Sequence, residues 1–141
     1  MHKIFMVEDN PDHALLIRRG IEESECAIAH YEDGLAAVEA CEAVDCAEAR
    51  PDLVLLDLKL PGMDGFGVLE RLRKMKWFKY VPIVMLTTSS RKEEIEQAYR
   101  FGASGYVVKS DDFGEFTAKL KRVKDYWFSA VELPKPNVNH D

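Results

Sequence analysis

Residues 52–75 read DLVLLDLKLPGMDGFGVLERLRKM, and three kinds of order follow one another along them. Leu53 to Leu56 make a short apolar run, which suits a strand. Pro61 and Gly62 then break the run. Asp64 stands directly before Gly65 as a helix N-cap would, and Val68, Leu69, Leu72 and Met75 recur at helical spacing. The stretch therefore reads as strand, turn and helix, with Asp57 at the end of the strand.

The same unit recurs on both sides. KIFMV (3–7), CAIAHY (26–31), IVML (83–86) and YVV (106–108) are four further apolar runs of strand length. Segments with helical character lie between them, and Phe113, Phe116, Leu120, Val123 and Trp127 form the clearest apolar stripe, expected to face the sheet. Asn10 before Pro11, and Asp112 with Glu115 three residues on, are further N-cap signals, while Gly34 and Gly102 punctuate turns. Ser90 followed by Glu93 has capping-box spacing and is expected to start the fourth helix. The pattern is (βα)5, without repeats or low-complexity segments. Strict alternation predicts an α/β fold, a doubly wound parallel sheet with helices on both faces. With five strands the expected order is the flavodoxin-like 2-1-3-4-5, which opens a crevice at the carboxyl ends of strands one and three.

Composition narrows the possible functions. A chain of 141 residues is about one domain, large enough for one core. Its net charge of −6 argues against a nucleic-acid or anionic-membrane surface and directs attention to protein partners. Cys26, Cys41 and Cys46 are an odd number without metal-site spacing, which suits small buried side chains in a reducing cytoplasm. No run is long enough for a signal peptide or a membrane span.

The residues at the strand ends carry the chemistry. Glu8 and Asp9 follow the first strand, Asp57 ends the third, Thr87 ends the fourth and Lys109 follows the fifth. In the expected order all five converge on one edge of the sheet. Crowded carboxylates raise one another's pKa unless a cation neutralises them, so the cluster implies a metal, and all-oxygen donors favour Mg²⁺. Lys109 and the Thr87 hydroxyl then supply a positive charge and a hydrogen-bond donor for a phosphoryl group.

VEDN, LVLLDLKLPGMDG, VPIVMLTTSS and GASGYVVKS, in this order and spacing from Lys3 to about Trp127, resemble the receiver domains of two-component response regulators. The resemblance implies that Asp57 accepts a phosphoryl group from a phosphohistidine on a sensor histidine kinase. It further implies Mg²⁺ held by Glu8, Asp9, Asp57 and the main-chain carbonyl of Lys59, with Lys109 on the phosphoryl oxygens. Thr87 would swing toward the phosphoryl group and let Tyr106 turn inward. The tail DYWFSAVELPKP, and Ser110 where most receivers have proline, are similar to the stand-alone phytochrome-associated response regulators. On that basis residues 1–128 are expected to be the receiver domain and 129–141 a C-terminal extension, with a phytochrome as the kinase.

Other classes fit less well. A flavodoxin-type FMN carrier needs a phosphate loop after the first strand, where this chain has the acidic EDNPD. A phosphatase of the aspartyl-phosphate class needs a second carboxylate two residues beyond the nucleophile, where Lys59 stands. With no effector segment after the receiver, output is expected through protein contacts. Tyr126, Phe128, Val131 and Leu133 add apolar groups that a single core would not absorb, and a homodimer through them and Trp127 is expected.

Overall fold

The computed structural model describes residues 1–21 and 23–134. Five strands, β1 (His2–Val7), β2 (Cys26–Tyr31), β3 (Leu53–Leu56), β4 (Ile83–Thr87) and β5 (Gly105–Val108), form one parallel sheet in the order β2-β1-β3-β4-β5. Five helices alternate with them: α1 (Pro11–Ile21), α2 (Gly34–Glu42), α3 (Gly65–Arg73), α4 (Lys92–Arg100) and α5 (Phe113–Asp125). The expected architecture and strand order are both met. Among the described residues no helix is long and apolar enough to cross a membrane.

The period-two alternation of the strands divides the core between the two faces of the sheet. Ile4, Met6, Leu53, Leu55, Val84 and Leu86 pack with Ala14 and Ile17 of α1 and with Phe116 and Leu120 of α5. Val7, Val54, Leu56, Ile83 and Met85 point the other way, onto Val38 of α2, Val68, Leu69 and Leu72 of α3, and Ala98 of α4. Ala98 is the one buried residue of α4, against four in α3.

Three of the expected helix caps form. Asn10 Oδ1 accepts the Asp12 and His13 amides, Asp64 accepts Gly67 N–H, and Asp112 accepts Glu115 N–H. The expected cap at Ser90 does not form. Helix α4 starts at Lys92 behind Arg91, which makes no side-chain cap bond. The reason lies one residue earlier: the Ser89 hydroxyl donates to the Glu94 carboxylate and accepts Arg91 N–H at 3.3 Å, holding the chain out of the helix through Arg91. Phe113 also departs from expectation. It is 69% exposed, because the stripe that meets the core begins one turn later at Phe116.

Beyond α5, a π-helical turn covers Tyr126–Ala130. Trp127 and Phe128 pack against the core on the α1/α5 side, and the Phe128 ring stacks on His2 with centroids 4.0 Å apart. Arg50 Nη2 donates to the Pro134 carbonyl at 3.0 Å. This corrects the premise that one core cannot absorb the tail: its first residues fold back over the start of β1. Residues 135–141 of the expected extension lie outside the described residues.

The end of the sheet away from the strand carboxyl ends is secured by a half-buried arginine. Arg73, last in α3, donates to the carbonyls of Gly102 (2.9 Å), Phe78 (2.7 Å) and Val81 (2.8 Å) and to the Ser104 hydroxyl (3.2 Å). Gly102, at φ +103°, gives the turn between α4 and β5 the backbone geometry that the contact uses.

At the other end, α3 begins directly against the β3 terminus. A Cβ on Gly65 would stand 2.3 Å from the Asp57 carbonyl oxygen, so only glycine allows this approach. Gly65→Ala is expected to cost about 1–3 kcal/mol through overpacking. Urea unfolding measures it, and an unchanged midpoint would refute the close-packing argument.

Candidate functional site

Strand register brings the site together. Val7, Leu56 and Met85 lie abreast across β1, β3 and β4, and Thr87 faces Val108 across β4 and β5. The residues that follow remain tied by the sheet ladder: Glu8 N–H bonds to the Tyr31 carbonyl, Asp57 N–H to Val7 and Lys109 N–H to Thr87. Asn10 and His30 hold the loop after β1. Glu8 Oε2 accepts Asn10 N–H at 3.0 Å, and His30 Nε2 donates to the Glu8 carbonyl at 2.7 Å.

Glu8, Asp57, Thr87 and Lys109 are buried, while Asp9 is exposed. Lys109 Nζ lies 2.6 Å from Glu8 Oε1, 3.1 Å from Asp57 Oδ2 and 2.9 Å from His13 Nδ1. Ligand oxygens of Glu8, Asp9 and Asp57 all fall within 4.8 Å of one another. One ammonium thus faces three carboxylates. Burial first, and then the charge of Asp57, push the Glu8 carboxyl up to about 7 despite the pull of Lys109. An all-oxygen cluster with surplus negative charge fits a hard divalent cation such as Mg²⁺.

The rim is polar and connected. Lys59 Nζ reaches Glu94 Oε2 of α4 at 2.9 Å, and its amide lies 3.4 Å from Asp57 Oδ1. The hydrogen bond from Ser89, with the ion pair to Lys59 after it, holds the Glu94 carboxyl below the usual range. Thr87 Oγ1 accepts Ser89 N–H at 3.4 Å. The Tyr106 hydroxyl donates to the Ser89 carbonyl at 2.9 Å from a half-buried ring on β5. The Lys109–Ser110 bond is trans, as are all described peptide bonds.

The structure therefore gathers Glu8, Asp9, Asp57 and Lys109 into one pocket and sets Lys59, Thr87 and Tyr106 around it. Tyr126 is 52% exposed, and Val131 and Leu133 are half-buried in the tail. Sequence reasoning missed His13, His30 and Glu94. His13 could have been flagged as a polar residue in the first turn of the helix that leaves the acidic loop. No spacing rule singles out the other two.

The sheet order and the acidic pocket with its buried lysine define a class of flavodoxin-like domains whose chemistry sits at the strand carboxyl ends. Residues 4–121 match the response regulator receiver domain, and the chain belongs to that family, the phosphoacceptor domains of two-component systems. The response regulator Rcp1 of Synechocystis sp. is 31% identical over 137 residues, 93% of this chain and 92% of that protein. A crystal structure of the phosphorylated cyanobacterial phytochrome response regulator RcpA superposes with a TM-score of 0.87 at 30% identity, covering 95% of this chain and 99% of that one. The Mn²⁺-bound form of response regulator Rcp1 gives 0.85 at 28% identity, covering 96% and 100%.

The Glu8 shift has a definite sign in stability. The folded chain retains this proton up to about 7, whereas an ordinary carboxyl releases it near 4.5. Stability from this group is therefore complete below about 4.5 and lost as pH rises toward 7. In divalent-free buffer, Glu8→Gln should remove part of the fall in unfolding midpoint seen between these pH values in the wild type. Parallel pH profiles for the two proteins would contradict the assignment.

Proposed function

We propose that the chain accepts a phosphoryl group on Asp57 from a histidine kinase, in a reaction assisted by Mg²⁺, and signals through phosphorylation-dependent protein contacts. The observation that carries this reading is the Asp57 carboxylate at the end of β3, buried and 3.1 Å from Lys109 Nζ, with Glu8 and Asp9 beside it. Asp57 is the nucleophile, Lys109 pairs with the phosphoryl oxygens, and Thr87 with Tyr106 forms the switch. Glu8, Asp9, Asp57 and the Lys59 main-chain carbonyl would hold Mg²⁺, which when bound supplies charge neutralisation for the carboxylates and the incoming phosphoryl group. Residues 1–128 act as the receiver domain and 129–141 as its extension. The likeness to RcpA, a cyanobacterial phytochrome response regulator, supports a phytochrome as the kinase.

Asp57→Asn keeps the shape of the side chain but removes its nucleophilicity. It should abolish phosphotransfer from the kinase while the circular dichroism spectrum stays native. Undiminished labelling of this variant in its folded state would exclude Asp57 as the acceptor.

The exposed rings of Tyr99 and Tyr126 flank half-buried β5 beside an open groove of about 590 Å³. This surface supports a homodimer through Tyr126, with Trp127 lining the same groove and the half-buried Val131 and Leu133 in the tail beyond it, whereas Phe128 is taken up by His2. Sedimentation velocity at micromolar concentration should show a dimer that Tyr126→Ala weakens. A wild-type monomer with and without phosphorylation would eliminate the dimer.

A further inference from the structure

An ammonium group has three N–H donors and no acceptor. Lys109 uses all three, on Glu8 Oε1, Asp57 Oδ2 and His13 Nδ1, with its side chain only 4% exposed. His13 Nδ1 must therefore accept, which fixes the ring as the neutral tautomer with its proton on Nε2. The surroundings agree: burial first, and then the charge of Lys109, hold the His13 pKa below its usual value.

The three acceptors are not equivalent once Asp57 is read as the phosphoacceptor and Glu8 as a metal ligand. Phosphorylation consumes one Asp57 oxygen, and a cation competes for Glu8. His13 belongs to neither group. It also sits on a separate element, in the first turn of α1, where Asn10 Oδ1 anchors its amide at 3.2 Å. Being neutral, it holds the lysine without competing electrostatically against an incoming phosphoryl anion, as a carboxylate at this position would.

We infer that His13 is a positioning residue for phosphoryl transfer, its Nδ1 keeping the Lys109 ammonium aimed at Asp57 while the two carboxylates change partners. The inference rests on the assignment of Asp57 as the acceptor. With acetyl phosphate as donor, an Asp57 oxygen forms a bond to phosphorus as the phosphorus–oxygen bond to the acetyl group breaks. Acetate leaves with the electron pair, and no proton has to move.

The test is made on the full chain with Mg²⁺ and acetyl phosphate. His13→Leu deletes the acceptor, and His13→Asn replaces it with a neutral carbonyl oxygen near the position of Nδ1. Misplacing a reacting or catalytic group by about 1 Å costs on the order of a hundredfold in rate, so His13→Leu, which frees the ammonium to drift by less, should lower the saturating phosphorylation rate about tenfold. The half-saturating donor concentration should stay unchanged, and His13→Asn should restore most of the rate. Long-range ¹H–¹⁵N spectra of the wild type, recorded without donor, should show Nδ1 unprotonated and Nε2 protonated. A His13→Leu protein labelled at the wild-type rate, equal losses in the Leu and Asn variants, or a protonated Nδ1 would each overturn the inference while leaving Asp57 as acceptor. A wild type that takes no label would overturn both together.

Discussion

The Lys109 ammonium joins parts of the chain that are 101, 96 and 52 residues away from it: Glu8, His13 and Asp57. Removing charges from water is costly, and their attraction compensates only when the geometry is good and every hydrogen is used. Both conditions are met, and among the described residues no buried side-chain nitrogen or oxygen lacks a partner. The arrangement still leaves a surplus of negative charge, which is expressed in the raised pKa of Glu8. The pocket is thus satisfied in its hydrogen bonds and unbalanced in its charge.

From the rim of that pocket a line of polar contacts runs outward to the surface. Lys59 holds Glu94, Glu94 accepts from Ser89, and the Ser89 carbonyl accepts from Tyr106. Thr87 touches the same loop through Ser89 N–H. The Lys59 to Glu94 pair is half in solvent and worth little by itself. Its interest is positional, since Lys59 turns its amide toward Asp57 Oδ1 and its ammonium toward α4. Two loops and one aromatic ring are therefore tied by polar contacts to the rim of the pocket.

The fold was legible because its evidence is periodic. DLVLL, a turn with Pro61 and Gly62, and Asp64 ahead of a helical repeat each point to one βα unit, and five such units leave few ways to wind. The pocket was legible for a related reason, since a parallel sheet puts all its strand ends on one edge. What escaped depended on side-chain reach. Ser90 and Glu93 have capping-box spacing, yet Ser89 and Glu94 took each other and displaced the helix start. Phe113 has core chemistry but precedes the turn that touches the sheet. Phe128 had no partner in the expected core because the π-helical turn that carries it to His2 leaves no mark in apolar spacing. His13 was hidden because a histidine's role depends on what its nitrogen meets.

Helix α4 buries Ala98 alone, and the turn after it is fastened by Arg73 through Gly102 and Ser104. Little apolar area opposes a local opening of this helix, whereas opening α3 would expose four buried residues. In native-state hydrogen exchange the two helices therefore belong to different tiers of protection. The amides of α4 are expected to exchange through a sub-global fluctuation, and those of α3 close to the limit set by complete unfolding. Of the five α-helices, the one with the fewest buried residues thus stands beside the acidic pocket, with one end pinned.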